Sequence, residues 1–162
     1  MKITFKKYGE SCFDDLALCA EKLQDFLVKI DPLGLLCRMP GFRKPYSKNM
    51  IKKVKDNNGI IILAYDKNEV VGYVAGIIER KTKEDLLEVK PIKECKILDL
   101  FVFEKCRGLG LGKKLMKMAE DYFKKKSCKK ANIDVFEPNT YAHNFYRKLG
   151  YSDRVIEMIK EL

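Results

Sequence analysis

Leu98-Asp-Leu-Phe-Val-Phe-Glu-Lys-Cys-Arg107-Gly-Leu-Gly-Leu-Gly112-Lys-Lys-Leu-Met116 is an apolar run, one charged turn, a glycine-rich arch and the start of a helical pattern. It predicts a strand, a phosphate cradle and a helix. Gly108, Gly110 and Gly112 carry no side chains, so the backbone there can take dihedrals closed to other residues and turn its N–H groups around a polyanion. The helix that follows adds its positive end to the same spot. The spacing excludes the two commonest nucleotide loops. A Walker loop would need glycine at 107, which is Arg107, and a hydroxyl after Lys113, which is Lys114. A dinucleotide fingerprint beginning at Gly108 would need glycine at 113, where lysine stands.

A chain of 162 residues, 46% of them apolar, is expected to form a single domain over 1–162 with a real core. The N-terminus has no apolar stretch of signal-peptide length, and the longest apolar runs, 59–65 and 70–78, are too short to span a bilayer. A cytoplasmic protein with no membrane partner is the expectation. Six cysteines without a Cys-x-x-Cys pair, and one histidine, give no metal-finger pattern, so no metal is expected and the thiols read as packed. Cys106, beside the arch, has no base placed near it.

The net charge of +10 fits either nucleic acid or a polyphosphate cofactor. Many lysines fall on the helix after the arch, where Leu111, Leu115, Met118 and Tyr122 step by three or four as a buried stripe. Most of those lysines therefore face solvent, while Lys113 and Lys114 occupy the first turn, where phosphates would lie.

Taken in order, Ile3 and Phe5 suggest a strand, and Leu16, Ala20, Leu23, Leu27 and Ile30 a helix ended by Asp31-Pro32. Residues 32–46 hold three of the five prolines and two glycines and read as a loop. Ser47 would cap a short helix to Val54. A hairpin follows, Ile60–Tyr65 and Val70–Ile78, apolar enough for burial on both faces. Residues 80–93 read as a charged loop with at most one helical turn. Then come the strand Cys95–Phe103, the arch, a helix to about Ser127, the strand Ala131–Phe136, a helix Thr140–Leu149 closed by Gly150, and a last strand around Arg154–Ile159.

Arg107-Gly-Leu-Gly110-Leu-Gly112 resembles the Arg/Gln-x-x-Gly-x-Gly/Ala signature of the GNAT-type N-acetyltransferase superfamily. Asn139-Thr-Tyr-Ala142-His-Asn-Phe145-Tyr146-Arg-Lys-Leu149-Gly150-Tyr151 is similar to the family's second segment, Asn-x-x-Ala-x-x-Phe-Tyr-x-Lys-x-Gly-Phe/Tyr, at the expected distance. The resemblance covers nearly the whole chain. It implies an α/β (α+β) GNAT fold: a mixed, mostly antiparallel twisted sheet of six to seven strands, about four helices, and a splay between the fourth and fifth strands.

The resemblance further implies direct acetyl transfer from acetyl-coenzyme A to an amine. Phe101 and Val102 would hold the pantetheine arm as an added strand and polarise the thioester carbonyl. Arg107, Gly108, Leu109, Gly110, Leu111, Gly112 and Lys113 would cradle the pyrophosphate, and Asn139 and Tyr146 would complete the cofactor site. Asn139 and Tyr146, seven residues apart, project from almost the same side of a helix whose adjacent stripe is Ala142, Phe145 and Leu149. His143 also lies on the polar side and reads as solvent-exposed, without a catalytic role. The family's leaving-group donor maps onto Tyr146. Its reference pKa of about 10 exceeds a thiol's of about 8.5, so it donates a hydrogen bond rather than acting as a strong acid.

An amine of pKa about 10.4 is protonated at neutral pH. Asp99, on the strand that carries Phe101, is the acidic residue best placed to anchor that cation or to end a water relay. It reads equally as a structural carboxylate at a bulge. Glu79 and Glu137 are unranked alternatives. Leu98-Asp-Leu-Phe-Val resembles the Glu-Asp-Phe-Phe-Val stretch of polyamine acetyltransferases, but Leu98 replaces the relaying glutamate. The acceptor pocket would draw on Pro32–Tyr46 and Arg80–Lys93, which hold no diagnostic motif. A basic nucleic-acid-binding module and a non-catalytic coenzyme A sensor stay open as rival functions, nucleic acid being disfavoured because it explains neither the arch nor Tyr146. Exposed strand edges are compatible with a homodimer.

Overall fold

A computed structural model describes residues 2–162. The strands are β1 (Ile3–Lys7), β2 (Ile60–Asp66), β3 (Glu69–Ile78), β4 (Glu94–Val102) and β5 (Lys130–Ile133). The helices are α1 (Phe13–Ile30), α2 (Arg43–Asp56), a single turn α3 (Asp85–Glu88), α4 (Leu111–Lys125) and α5 (Thr140–Lys148). The strands lie side by side in chain order, antiparallel except for the parallel pair β4–β5.

Period-two alternation divides the sheet between two helical layers. Ile61, Leu63, Tyr65, Tyr73, Ala75 and Ile77 pack against Leu16, Cys19 and Ala20 of α1 and Met50 and Val54 of α2. Ile60, Ile62, Ala64, Val71 and Val74 face Leu115, Met116, Ala119 and Phe123 of α4 and Tyr146 of α5. The hairpin β2–β3 is thus buried on both faces, as its unbroken apolar run predicts.

Four local expectations are corrected. Among the described residues the sheet has five strands rather than six to seven: β5 stops at Ile133, and residues 154–159 form no strand. Their apolar residues come as adjacent pairs, Val155-Ile156 and Met158-Ile159, which an alternating strand sends to opposite faces, and no sheet edge pairs with them. Val155, Ile156 and Met158 are more than 80% exposed (83%, 81% and 89%). α2 begins at Arg43, a turn before Ser47, because Pro45 falls in the first turn, where backbone N–H groups lack partners anyway. Ser47 is no cap; its Oγ donates back to the Arg43 carbonyl at 2.8 Å. The buried row of α4 is Leu111, Leu115, Ala119 and Phe123, and Met118 is turned outward. Gly76 explains that rotation: a Cβ there would lie 2.9 Å from the Phe123 ring, so the glycine leaves the space the ring occupies.

Two features position the site. β4 pairs with β5 only over Glu94–Ile97, which leaves the edge of Leu98–Val102 without a neighbour on that side and realises the expected splay. Against β3, β4 has a bulge: Ala75 is opposite Asp99 but Gly76 is opposite Ile97, so Leu98 is the extra residue. Cys95 and Ile97 face the α4 layer, and after the bulge so do Leu100 and Val102, while Phe101 packs toward α1 and α2. Without the bulge Asp99 would share the face of Ile97; with it, Asp99 joins Tyr73 and Phe101.

Candidate active site

The chain leaves β4 through a single 3-10 turn, Glu104–Cys106, and enters α4 through the arch. Gly108 and Gly110 take φ of +74° and +76°, left-handed values that cost other L-residues about 1–2 kcal/mol. Among the described residues, the N–H groups from Gly108 through Lys113 have no intramolecular acceptor; the first helical bond runs from the Lys114 N–H to the Gly110 carbonyl at 3.1 Å. A run of free donors at the positive end of α4 fits a diphosphate.

Arg107 braces this arch. Its Nε donates to the Val102 carbonyl at 3.0 Å, and its guanidinium carbon lies 5.4 Å from the centre of the Phe26 ring on α1. Gly112 permits a close approach of α5, since a Cβ there would lie 3.3 Å from the Phe145 ring.

These segments surround a cavity of about 300 Å³ lined by Phe101, Val102, Arg107, Gly108, Gly110, Leu111, Gly112, Lys113, Asn139 and Tyr146, with Leu23 and Phe26 of α1 and Tyr141 and Phe145 of α5. Every sequence-predicted cofactor residue therefore lines it except Leu109, which is 61% exposed. The α1 side of the wall was invisible to sequence reading, because Leu23 and Phe26 look like ordinary members of a helical apolar stripe.

Asn139 caps α5, its Oδ1 accepting the Ala142 N–H at 3.1 Å, which leaves Nδ2 as its remaining donor. Tyr146, expected beside the core stripe, is instead the most buried residue of α5, at 7% exposure. Its hydroxyl has no protein partner among the described residues, and no buried polar side-chain atom is sealed without one, so the hydroxyl is open to the cavity it lines. Burial first, and the charge of Asp99 second, raise its pKa, which keeps it a proton-bearing donor.

Asp99 stands outside that lining, on the α1–α2 face of β4. Its Oδ2 accepts two phenol hydrogen bonds, from Tyr73 at 2.7 Å and from Tyr46 at 3.1 Å. It forms no salt bridge among the described residues, and burial raises its pKa against the lowering effect of both phenols. Tyr73 carried an unread signal, as a phenol in an otherwise apolar, fully buried strand must find an acceptor. Tyr46 belongs to the loop-and-helix segment expected at the acceptor side, and its ring stacks on Phe42 at 4.7 Å.

The other candidates are elsewhere. Glu79 accepts from Asn132 Nδ2 at 2.6 Å, at the opposite end of β4 from Asp99. Glu137 is exposed. His143 pairs with Asp153 at 2.6 Å on the outer side of α5. Residues 80–93 pack at the far end of α2, where Arg80 bonds the Asp56 carbonyl, and make no hydrogen bond or ion pair to Asp99 among the described residues. Cys106 is buried beside the cavity, and burial pushes the Cys19 and Cys95 thiols up to about 12.

A cradle for a diphosphate, an open strand edge and a free phenol around one cavity invite comparison with proteins that use coenzyme A. Residues 27–151 match the Acetyltransferase (GNAT) family. The chain belongs to that family. An uncharacterised N-acetyltransferase of Methanocaldococcus jannaschii is 41% identical over 59 residues, 36% of this chain and 38% of that protein. An uncharacterised N-acetyltransferase of Archaeoglobus fulgidus is 34% identical over 112 residues, 64% of this chain and 68% of the relative. The GNAT fold recurs in a tetramutant protein of Bacillus halodurans at TM-score 0.84 and 19% identity, over 98% of this chain and 99% of the other. It recurs in an aminoglycoside N-acetyltransferase in complex with CoA at TM-score 0.74 and 13% identity, over 99% and 96%. Among the described residues of this GNAT protein, no helix is long and apolar enough to cross a membrane.

Proposed function

We propose that this GNAT protein is an acyl-CoA-dependent N-acetyltransferase that moves acetyl from acetyl-coenzyme A directly to a primary amine, with residues 1–162 acting as one domain in the cytoplasm. The observation that carries the reading is the convergence on one cavity of the free N–H groups Gly108–Lys113 and the unpartnered Tyr146 hydroxyl. Bound acetyl-coenzyme A supplies the acetyl group as a thioester.

The arch N–H groups and Lys113 hold the pyrophosphate, and Asn139 adds a donor beside it. Phe101 and Val102 offer the open edge of β4 to the pantetheine amides and to the thioester carbonyl. Arg107 keeps that edge fixed to the arch. The acceptor loses its ammonium proton to solvent water, its nitrogen bonds to the acetyl carbon as the C–S bond breaks, and the bonding pair leaves on sulfur. Tyr146 donates a hydrogen bond to that sulfur, and the thiolate takes the second proton from the nitrogen. Asp99 anchors the acceptor cation.

Thiol release from acetyl-coenzyme A in the presence of an amine panel, alongside calorimetric binding of acetyl-coenzyme A, tests the proposal. Binding with amine-dependent release is expected. Binding without release from any amine would leave the non-catalytic sensor, and no binding at all would remove the family's cofactor.

A further inference from the structure

We propose that Asp99, Tyr73 and Tyr46 form a single-cation subsite that takes one primary ammonium carried on a neutral or anionic body and turns away polycations. The proposal rests on the N-acetyltransferase reading and names the class of acceptor. Both phenols bond to the same oxygen, Oδ2, so Oδ1 accepts nothing from the described residues. That oxygen is not sealed, because no buried polar side-chain atom of the described residues lacks a partner. This carboxylate is hydrogen-bonded only by neutral hydroxyls and, although the charge of Lys53 reaches it, has no ion-pair partner among the described residues; an ammonium on Oδ1 supplies both contact charge and hydrogen bond.

The subsite holds one negative charge. Of the four acids on α1, Glu21 and Asp25 pair with Arg38, Asp15 accepts the Tyr65 hydroxyl at 2.8 Å, and none bonds to Asp99 or its two phenols among the described residues. A second or third ammonium on the same substrate would find no second carboxylate bonded into the subsite, and the neighbouring charge that bears on Asp99 is the positive one of Lys53. Arg43 and Lys44 share the first turn of α2 with Tyr46, Lys53 lies further along the same helix, and the protein carries a net charge of +10. Long-range repulsion of that sign lowers the encounter rate of polycations and raises that of anions. The stacked Phe42 and Tyr46 rings give an uncharged body an apolar wall.

The test uses the full chain with acetyl-coenzyme A and compares kcat/KM for 2-phenylethylamine and a neutral dipeptide with that for spermidine and kanamycin. The monoamines are expected to exceed both polycations by about tenfold or more, equivalent to about 1.4 kcal/mol. D99N should raise the monoamine KM about tenfold and leave the Kd of acetyl-coenzyme A within a factor of about two. Y46F, which retains one phenol on Oδ2, should raise KM by less and leave kcat nearly intact, a split that general loss of folding would not produce. Preference for spermidine or kanamycin, or an unchanged monoamine KM in D99N, would overturn this assignment while leaving the N-acetyltransferase reading in place. Failure of every amine to release thiol overturns that reading and this inference with it.

Discussion

The Tyr73 hydroxyl donates to Oδ2 of Asp99 across the β3–β4 ladder at 2.7 Å, immediately after the point where Leu98 bulges out of register. The bulge and the bond are parts of one arrangement. Moving Asp99 to the α1–α2 face would leave a half-buried carboxylate with Tyr46 as its one donor if Tyr73 did not meet it there, and the fully buried Tyr73 phenol would lack an acceptor. The acid thereby lies on the same face as Phe101, next to the strand edge that lines the cavity.

That arrangement trades stability for charge. Burial raises the Asp99 pKa above its ordinary value of about 3.9. A carboxyl that binds its proton more tightly when folded stabilises the fold below pH 4 and loses that advantage as pH rises through its folded pKa. Asp99→Asn should therefore raise Tm at pH 7, by about 2–4 °C for each kcal/mol relieved, and the gain over wild type should vanish below about pH 4. Differential scanning calorimetry at the two pH values checks both; a lower Tm at pH 7 would mean that the phenol bonds depend on the negative charge.

Tyr146→Phe removes a buried residue's hydroxyl that lines the cavity without a protein partner among the described residues. Turnover should fall about a hundredfold to a thousandfold, in line with loss of a transition-state donor. Ring packing against Phe145 at 5.2 Å survives the change, so Tm and the Kd of acetyl-coenzyme A should stay close to wild type. Steady-state thiol release and calorimetry decide it, and wild-type turnover would remove Tyr146 from the chemistry.

Local and distant information separate cleanly along this chain. The arch was legible because three glycines on alternate positions constrain a backbone wherever they occur, and β2 and β3 because two-sided burial demands an unbroken apolar run. The α4 stripe was read one step out of phase, since the residue that sets it, Gly76, lies on a strand far away in sequence. The partners of Asp99 were illegible for the same reason: Tyr46 is 53 residues distant, and nothing local ties its helix to the strand that carries Asp99. Residues 154–159 show the converse, strand-forming residue types with no edge to pair with.

Gly110→Ala tests the arch apart from its ligands. At φ +76° with no atom within 4 Å of a built Cβ, the cost is that of backbone conformation alone, about 1–2 kcal/mol. Gly110→Asn, which tolerates this region better, should lose less. Both variants should weaken acetyl-coenzyme A binding in the same order as they lower Tm, measured by urea unfolding and calorimetry. Equal stability of the two would place the strain elsewhere.

Gly72→Ala acts on the other wall of the site by a different route. Gly72 pairs with Val102, and a Cβ on it would lie 2.5 Å from the Phe101 carbonyl oxygen and 3.2 Å from the Val102 Cα. The obstructing atoms are backbone, so no rotamer change relieves the contact, and β3 and β4 must separate where β4 lines the cavity. Overpacking of this kind costs about 1–3 kcal/mol. Because the displaced residues are the ones offered to the pantetheine arm, the variant should lose acetyl-coenzyme A affinity by more than its lowered Tm accounts for when binding is measured well below the transition. Intact affinity in a destabilised Gly72→Ala protein would mean that the open edge of β4 takes no part in holding the cofactor.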